Sequence, residues 1–369
     1  MPITRHLGLT TKLMSPPYHP NHITNVSASI LAAVLVLGMA SCTSSPPEED
    51  PDHPSASSTT DAAVAAEAAA FPVTVTSSVG SATITGQPRR VVTLGWGSSD
   101  VAAALGVPPV GIQEISDDTG DYRAVFPWNK NAFAETPELL NPDEIPYEAI
   151  AALHPDVILA VSSGITTEEH ARLTEIAPTV GYPGRPWQTG WEDLTRRVGT
   201  ALGRSEAAES LINATDRALS ETARDHPEFA GRTVTFAVNT DGTRLREIPA
   251  TDARYAVLRR LGFATSPTTP CSSPSFHVPR GLETLTDIDA DILVVWHLSD
   301  RARQTLEAQP TFAEIPAVTS GGYLPVTDPL LGLAVSTATA TSVPWALDNG
   351  YVDGLADAAE GRTVPGPRD

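Results

Sequence analysis

Residues 146–161 read PYEAIAALHPDVILAV, and the fold turns on how this stretch divides. Pro146 suits the first turn of a helix, where its missing N–H costs nothing. The helix runs through Leu153, and Asp156–Val161 then reads as a buried strand. Thr166 and Glu169, spaced as a capping box, open a second helix that continues to Ala177, and Thr179–Tyr182 closes the unit as a short strand. The same theme stands upstream: a strand Arg90–Leu94, a helix Ser98–Leu105 ended by Gly106, and a strand Pro109–Ile112. It returns downstream in the strand Thr233–Val238, the helices Asp252–Leu261 and Leu282–Ile288, and the strand Asp291–Trp296. Strands alternating with helices of this length predict an α/β protein with parallel-dominated sheets and right-handed crossovers. The body opens on two alternating strands, Val73–Ser77 and Ala82–Thr85, joined by a Ser/Gly turn.

Between Trp191 and His226 the pattern becomes helical almost without interruption, broken only near Gly203-Arg204, with Ala207, Leu211, Ala214, Ala218 and Leu219 at helical spacing. The expected architecture is therefore two Rossmann-like α/β lobes joined by one long interdomain helix. Such a connector permits less relative motion than a pair of flexible hinge strands.

The N-terminus has a different character. Ala28–Met39 is apolar but too short to span a bilayer, and Arg5 and Lys12 lie upstream, as in a secretory signal. Ala40-Ser41-Cys42 follows and resembles a bacterial lipobox, with Met39 where leucine is usual. Cys42 is then the lipidation site, and the chain is expected to be exported and lipid-anchored at the outer face of the cytoplasmic membrane. Residues 43–70 are Ser, Thr, Pro, Ala, Glu and Asp, a composition that cannot bury enough apolar surface to fold, and they read as a tether.

A formal net charge of −20 removes nucleic acid from the expected partners, since no Lys/Arg cluster offers a phosphate-binding patch. With one of only two cysteines assigned to lipid, Cys271 has no internal partner, so the core and not a disulfide holds the fold. No GxSxG elbow, Walker loop, HExxH pair or glycine fingerprint appears, and the chain is read as having no catalytic residues and no enzyme activity. His154, His170, His226, His277 and His297 are scattered singly and assemble no metal site of three or four donors.

The aromatic residues point to a ligand. Trp96, Trp187, Trp191 and Trp296 lie at or just beyond the carboxyl ends of strands, where α/β sheets bind ligands, and Trp128 sits in the loop from Gln113 to Phe133. Arg185 stands beside two of these tryptophans, while Arg244 and Arg246 follow the first strand of the second lobe. Together they suggest an aromatic cleft with guanidinium groups aimed at anionic oxygen.

In order along the chain, RRVVTL (89–94), ALGVPPVG (104–111), YEAIAALHPDVIL (147–159), LTEIAPTV (173–180), LGF (261–263) and LETL (282–285) with DAD (289–291) are similar to landmarks of the substrate-binding lipoproteins of iron-siderophore ABC importers, a group that includes vitamin B12 and haem binders. The resemblance implies one ferric siderophore held between two lobes, no cofactor beyond that ligand, and delivery by a monomer to an ABC permease dimer. It also implies that one surface carboxylate per lobe docks on the permease, at Glu148 and Glu283. The ligand set expected on this basis is Trp96, Trp128, Arg185, Trp187, Trp191, Arg244 and Trp296. The expected boundaries are 1–41 signal peptide, 42–70 lipidated cysteine and tether, 71–190 first lobe, 191–226 interlobe helix and 227–369 second lobe. Two alternatives stay open: a haem or corrinoid ligand, with His297 or Tyr182 as axial donor, and an exported interaction protein without a transport role.

Overall fold

The computed structural model describes residues 70–115, 122–273 and 276–362. The signal segment, Cys42 and the tether through residue 69 lie outside them. The first lobe begins with an antiparallel hairpin of β1 (Val73–Thr76) and β2 (Ser81–Ile84). Its five-stranded sheet is wholly parallel and is built from β3 (Val91–Thr93), β4 (Gly111–Gln113), β5 (Glu138–Leu140), β6 (Val157–Leu159) and β7 (Thr179–Val180). The order is β5-β4-β3-β6-β7, and the central pair β3 and β6 is buried at every position, as unbroken apolar runs require. Helices α1 (Ser98–Ala104), α2 (Tyr147–Ala152) and α3 (Thr167–Thr174) make the crossovers.

The 146–161 segment shows how local chemistry sets this lobe. Pro146 precedes α2 as its N-cap, one residue earlier than the sequence suggests. The helix stops because His154 turns into the left-handed region (φ 46°) and Pro155 cannot continue the ladder. Asp156 then accepts the backbone N–H groups of Arg89 (2.7 Å) and Arg90 (2.8 Å), which seats the start of β3 beside β6. Downstream, the expected capping box is formed: Glu169 N–H donates to the Thr166 hydroxyl and Thr166 N–H to the Glu169 carboxylate.

The connector consists of α4 (Trp191–Leu202) and α5 (Ser205–Asp225), with Gly203 in the left-handed conformation (φ 68°) at the break that the sequence marks. Leu194, Val198 and Leu202 of α4 pack into the core of the first lobe, whereas Ile212 and Leu219 of α5 pack into that of the second. Leu211 touches both cores, so the 21-residue α5, about 30 Å long, is fixed at its two ends by different lobes. The two helices approach so closely at Gly199 that a Cβ there would lie 2.4 Å from the Ala208 methyl.

In the second lobe a mixed sheet runs β11-β9-β8-β12-β13, from β8 (Thr233–Asn239), β9 (Arg244–Glu247), β11 (Val278–Gly281), β12 (Ile292–His297) and β13 (Tyr323–Val326), with β10 (Ala264–Thr265) also paired to β8. Strands β8, β12 and β13 are parallel, and β9 and β11 are antiparallel. Asp291 repeats the role of Asp156: its carboxylate accepts the backbone N–H (2.7 Å) and hydroxyl (2.8 Å) of Thr233 at the start of β8. The Thr233 backbone bond holds that carboxyl below its ordinary range. Helices α6 (Ala253–Arg260), α7 (Asp300–Glu307), α8 (Pro329–Ser336), α9 (Ser342–Ala346) and α10 (Val352–Ala359) cover the sheet. The helix expected at 282–288 is the tighter 3₁₀ form, Leu282–Asp287.

Candidate functional site

A cavity of about 420 Å³ opens between the lobes at the carboxyl ends of both sheets. From the first lobe it takes the loops that follow β3 (Trp96), β4 (Glu114) and β6 (Ser163, Gly164), together with Trp187. From the second it takes the ends of β8 (Val238) and β12 (Trp296), Arg246 of β9, Arg254 of α6, and His277. Trp96 and Trp187 meet with ring centroids 5.1 Å apart and planes tilted by 51°, a favourable aromatic geometry. Trp187 has φ 62°, a left-handed conformation that costs a non-glycine residue about 1–2 kcal/mol. Its backbone N–H donates to the Ser163 carbonyl, and a Cβ at Gly164 would lie 2.5 Å from its Nε1, so the loop after β6 is shaped around this indole. Trp296 is seated similarly, because a Cβ at Gly332 would fall 1.9 Å from its Nε1.

The walls differ in charge. Glu114, Asp143, Glu144 and Glu169 lie on the first-lobe side, and Arg246 and Arg254 on the other. Arg254 is buried, paired with Asp252 at 3.0 Å and set 5.7 Å from the Phe236 ring centroid. Its Nε is wholly buried and finds no partner among the described residues, while the residue itself lines the cavity. Burial, and then the charge of Arg246, keep His277 below its ordinary pKa, so the ring is neutral at neutral pH. The cavity thus combines aromatic faces with guanidinium groups on one wall and carboxylates on the other, an arrangement suited to an organic ligand with an oxygen-rich surface.

The structure sorts the expected ligand residues. Trp96, Trp187 and Trp296 line the cavity. Trp191 does not: as the first residue of α4 it is wholly buried beneath Arg260, whose guanidinium carbon lies 5.4 Å from its ring centroid. Trp128 is a lobe-lobe contact, stacked on Phe126 at 4.8 Å, tilted against Trp345 at 5.2 Å and donating to Asp100 at 2.7 Å. Arg185 is exposed and donates across the lobes to the Ser273 carbonyl at 2.7 Å. Arg244 is exposed at the start of β9, outside the lining, whereas Arg246 sits opposite Val238 and reaches the cavity. Arg254 was not expected. Its only sequence signal is its place two residues after Asp252, whose carboxylate caps α6. The two axial donors proposed for haem are buried in cores, where His297 bonds Tyr323 (2.6 Å) and Asn239 (2.9 Å) and burial drives its pKa down to about 3; Tyr182 packs with the first-lobe core. Glu148 and Glu283 are exposed at the starts of α2 and of the 282–287 turn.

Beside the cavity, Asp100 of α1 is buried and receives Trp128 Nε1–H (2.7 Å), the Asn129 amide (2.6 Å) and the hydroxyl of Thr339 (3.3 Å), which comes from the second lobe. Burial pushes this carboxyl up to about 6 despite the three donors.

Two α/β lobes, a helical connector and a ligand cavity at the facing strand ends define a two-lobed solute-binding protein. The chain belongs to the periplasmic binding protein family, whose sequence profile matches residues 91–322. It is 26% identical over 273 residues to the ferric enterobactin-binding periplasmic protein FepB of Escherichia coli, spanning 69% of this chain and 83% of that one. The crystal structure of Streptococcus pneumoniae PiaA in complex with ferrichrome superposes with a TM-score of 0.69 at 30% identity, covering 78% of this chain and 99% of PiaA. A periplasmic solute binding protein of Mycobacterium smegmatis matches equally well, with a TM-score of 0.69, 29% identity, and coverage of 78% of this chain and 98% of its own.

Proposed function

We propose that this protein captures a ferric siderophore in the interlobe cavity and delivers it to an ABC import permease. The observation that carries the proposal is the lining: Trp96, Trp187 and Trp296 face Arg246 and the buried Arg254 across one space. A siderophore already supplies the oxygen donors of its iron, so the protein need only recognise the organic shell. Aromatic faces and arginine do that without metal ligands. Similarity to an iron-uptake protein crystallised with ferrichrome supports the same reading. In it, Cys42 carries the lipid that holds the body outside the cytoplasmic membrane, residues 43–70 supply reach, and Glu148 and Glu283, exposed on separate lobes, dock on the permease dimer.

The test is a fluorescence titration of the body from Phe71 onward with iron-loaded and iron-free siderophores of hydroxamate, catecholate and carboxylate type, and with haem. Three tryptophans on the cavity wall make quenching a direct report of occupancy. Saturable quenching by one iron-loaded class supports the proposal. Quenching by haem alone, or by nothing, overturns it.

A further inference from the structure

A second space of about 290 Å³ adjoins the main cavity and shares Trp96, Trp187, Arg254 and Phe276 with it. It extends between the lobes to Leu194 of α4 and to Ser336, Thr337 and Ala338 at the end of α8. We infer that this chamber is a subsite for a pendant acyl or aroyl group of the siderophore, its carbonyl at Arg254 and its carbon body lodged behind the Trp96–Trp187 pair.

The polar side chains around the chamber are largely committed to the protein. The hydroxyl of Thr189 donates to the Val161 carbonyl at 2.6 Å, that of Thr337 to the Leu333 carbonyl at 2.9 Å, and Asp252 holds Arg254. Two wholly buried polar atoms of the lining residues, Arg254 Nε and the Ser336 hydroxyl, have no partner among the described residues, and Ser162, Trp96 and Trp187 add a hydroxyl and two indole N–H groups to the lining. The guanidinium of Arg254 and the indole N–H and hydroxyl donors of the lining favour an occupant with a hydrogen-bond acceptor. The remaining surface is largely carbon: the indole faces of Trp96 and Trp187, Phe276, Leu194 and Ala338. One acceptor at the mouth with an apolar body beyond it is the chemistry of an amide-linked acyl chain or aromatic ring. The space is roughly twice the ~150 Å³ of an apolar cavity that admits benzene.

This inference rests on the siderophore reading, and the experiment separates the two. A ferric linear trihydroxamate ending in a primary amine is compared with its N-acetyl, N-hexanoyl and N-dodecanoyl derivatives; the N-acetyl form controls for loss of the amine charge. Each buried methylene is worth about fourfold in affinity, so the N-hexanoyl chelate is expected to bind at least tenfold tighter than the N-acetyl one. The gain should stop growing by dodecanoyl, once the chamber is full. Ala338→Leu, which narrows the chamber alone, is expected to erase most of the gain and leave N-acetyl affinity within twofold. Should that variant fold poorly, the chain-length limit in the unaltered protein decides. Binding of all four chelates with equal affinity, or a gain that keeps rising with chain length and ignores Ala338→Leu, overturns the subsite while the siderophore reading stands. If none of the four binds and the other siderophore classes fail as well, the siderophore reading falls and the subsite falls with it.

Discussion

Asp100 offers a test of the lobe-lobe contact that frames the cavity. Replacing it with asparagine removes the titration and keeps the shape. The carboxyl moves from 3.8 to about 6 on folding, and at about 1.4 kcal/mol per pH unit this links about 3 kcal/mol of stability to pH. The sign follows from the direction. Because the folded value is raised, the native state binds the proton more tightly than the unfolded chain does. The stabilisation is therefore fully present below about pH 4 and lost as pH rises through 6. Asparagine also carries a fixed cost. Its oxygen can take the Trp128 and Thr339 donors, which both reach Oδ2, but its NH₂ then faces the Asn129 amide, 2.6 Å from Oδ1, donor against donor. Urea unfolding of the native and Asp100→Asn proteins at pH 4, 5, 6 and 7 separates these terms. The difference in unfolding free energy should shrink by about 2.4 kcal/mol from pH 4 to pH 7, with a constant offset beneath it. Taking the difference cancels carboxylates with lowered values, such as Asp291 and Glu228, which act in the opposite sense. A difference that is flat across this range would refute the argument that burial dominates at Asp100.

Arg254→Met combined with Asp252→Asn, so that no lone charge is buried and the helix cap survives, should weaken ferric-siderophore binding at least tenfold in the fluorescence titration, with little loss of stability. Gly164→Ala needs no unusual backbone but places a methyl 2.5 Å from Trp187 Nε1; it should displace the indole, alter the near-ultraviolet circular dichroism and cost several-fold in affinity. Glu148→Lys with Glu283→Lys should abolish iron uptake in cells while siderophore affinity stays within twofold, and uptake surviving both reversals would remove these residues from the docking surface.

Much of the architecture was legible because it rests on local rules. The buried runs at Val91–Thr93 and Val157–Leu159, the Thr166/Glu169 box and the break at Gly203 are set by side-chain period, capping and backbone freedom within a few residues, and each appears where those rules place it. The lobe duplication was legible for the same reason. What local rules do not carry is the face on which a residue falls once sheets and helices pack.

The tryptophans make that limit concrete. Trp187 and Trp191 are four residues apart in one loop-to-helix passage, and position along the chain recommends both for the cavity. A left-handed backbone turns Trp187 over Gly164 toward the ligand space, while the first turn of α4 aims Trp191 into the core beneath Arg260. Arg244 and Arg246 share one strand face, yet only the residue opposite Val238 reaches the cavity, because the other lies beyond the paired stretch of β8. Arg254 was hidden for the converse reason: it sits on a helix, and its value comes from a buried pairing with Asp252 that composition does not reveal. The residues that make the site share one property, in that each is held by a tertiary contact: Trp187 by the open space at Gly164, Trp296 by that at Gly332, and Arg254 by Asp252 and Phe236. The wall of the cavity is therefore held in position by the protein itself, with the indole faces and the Arg254 guanidinium presented together.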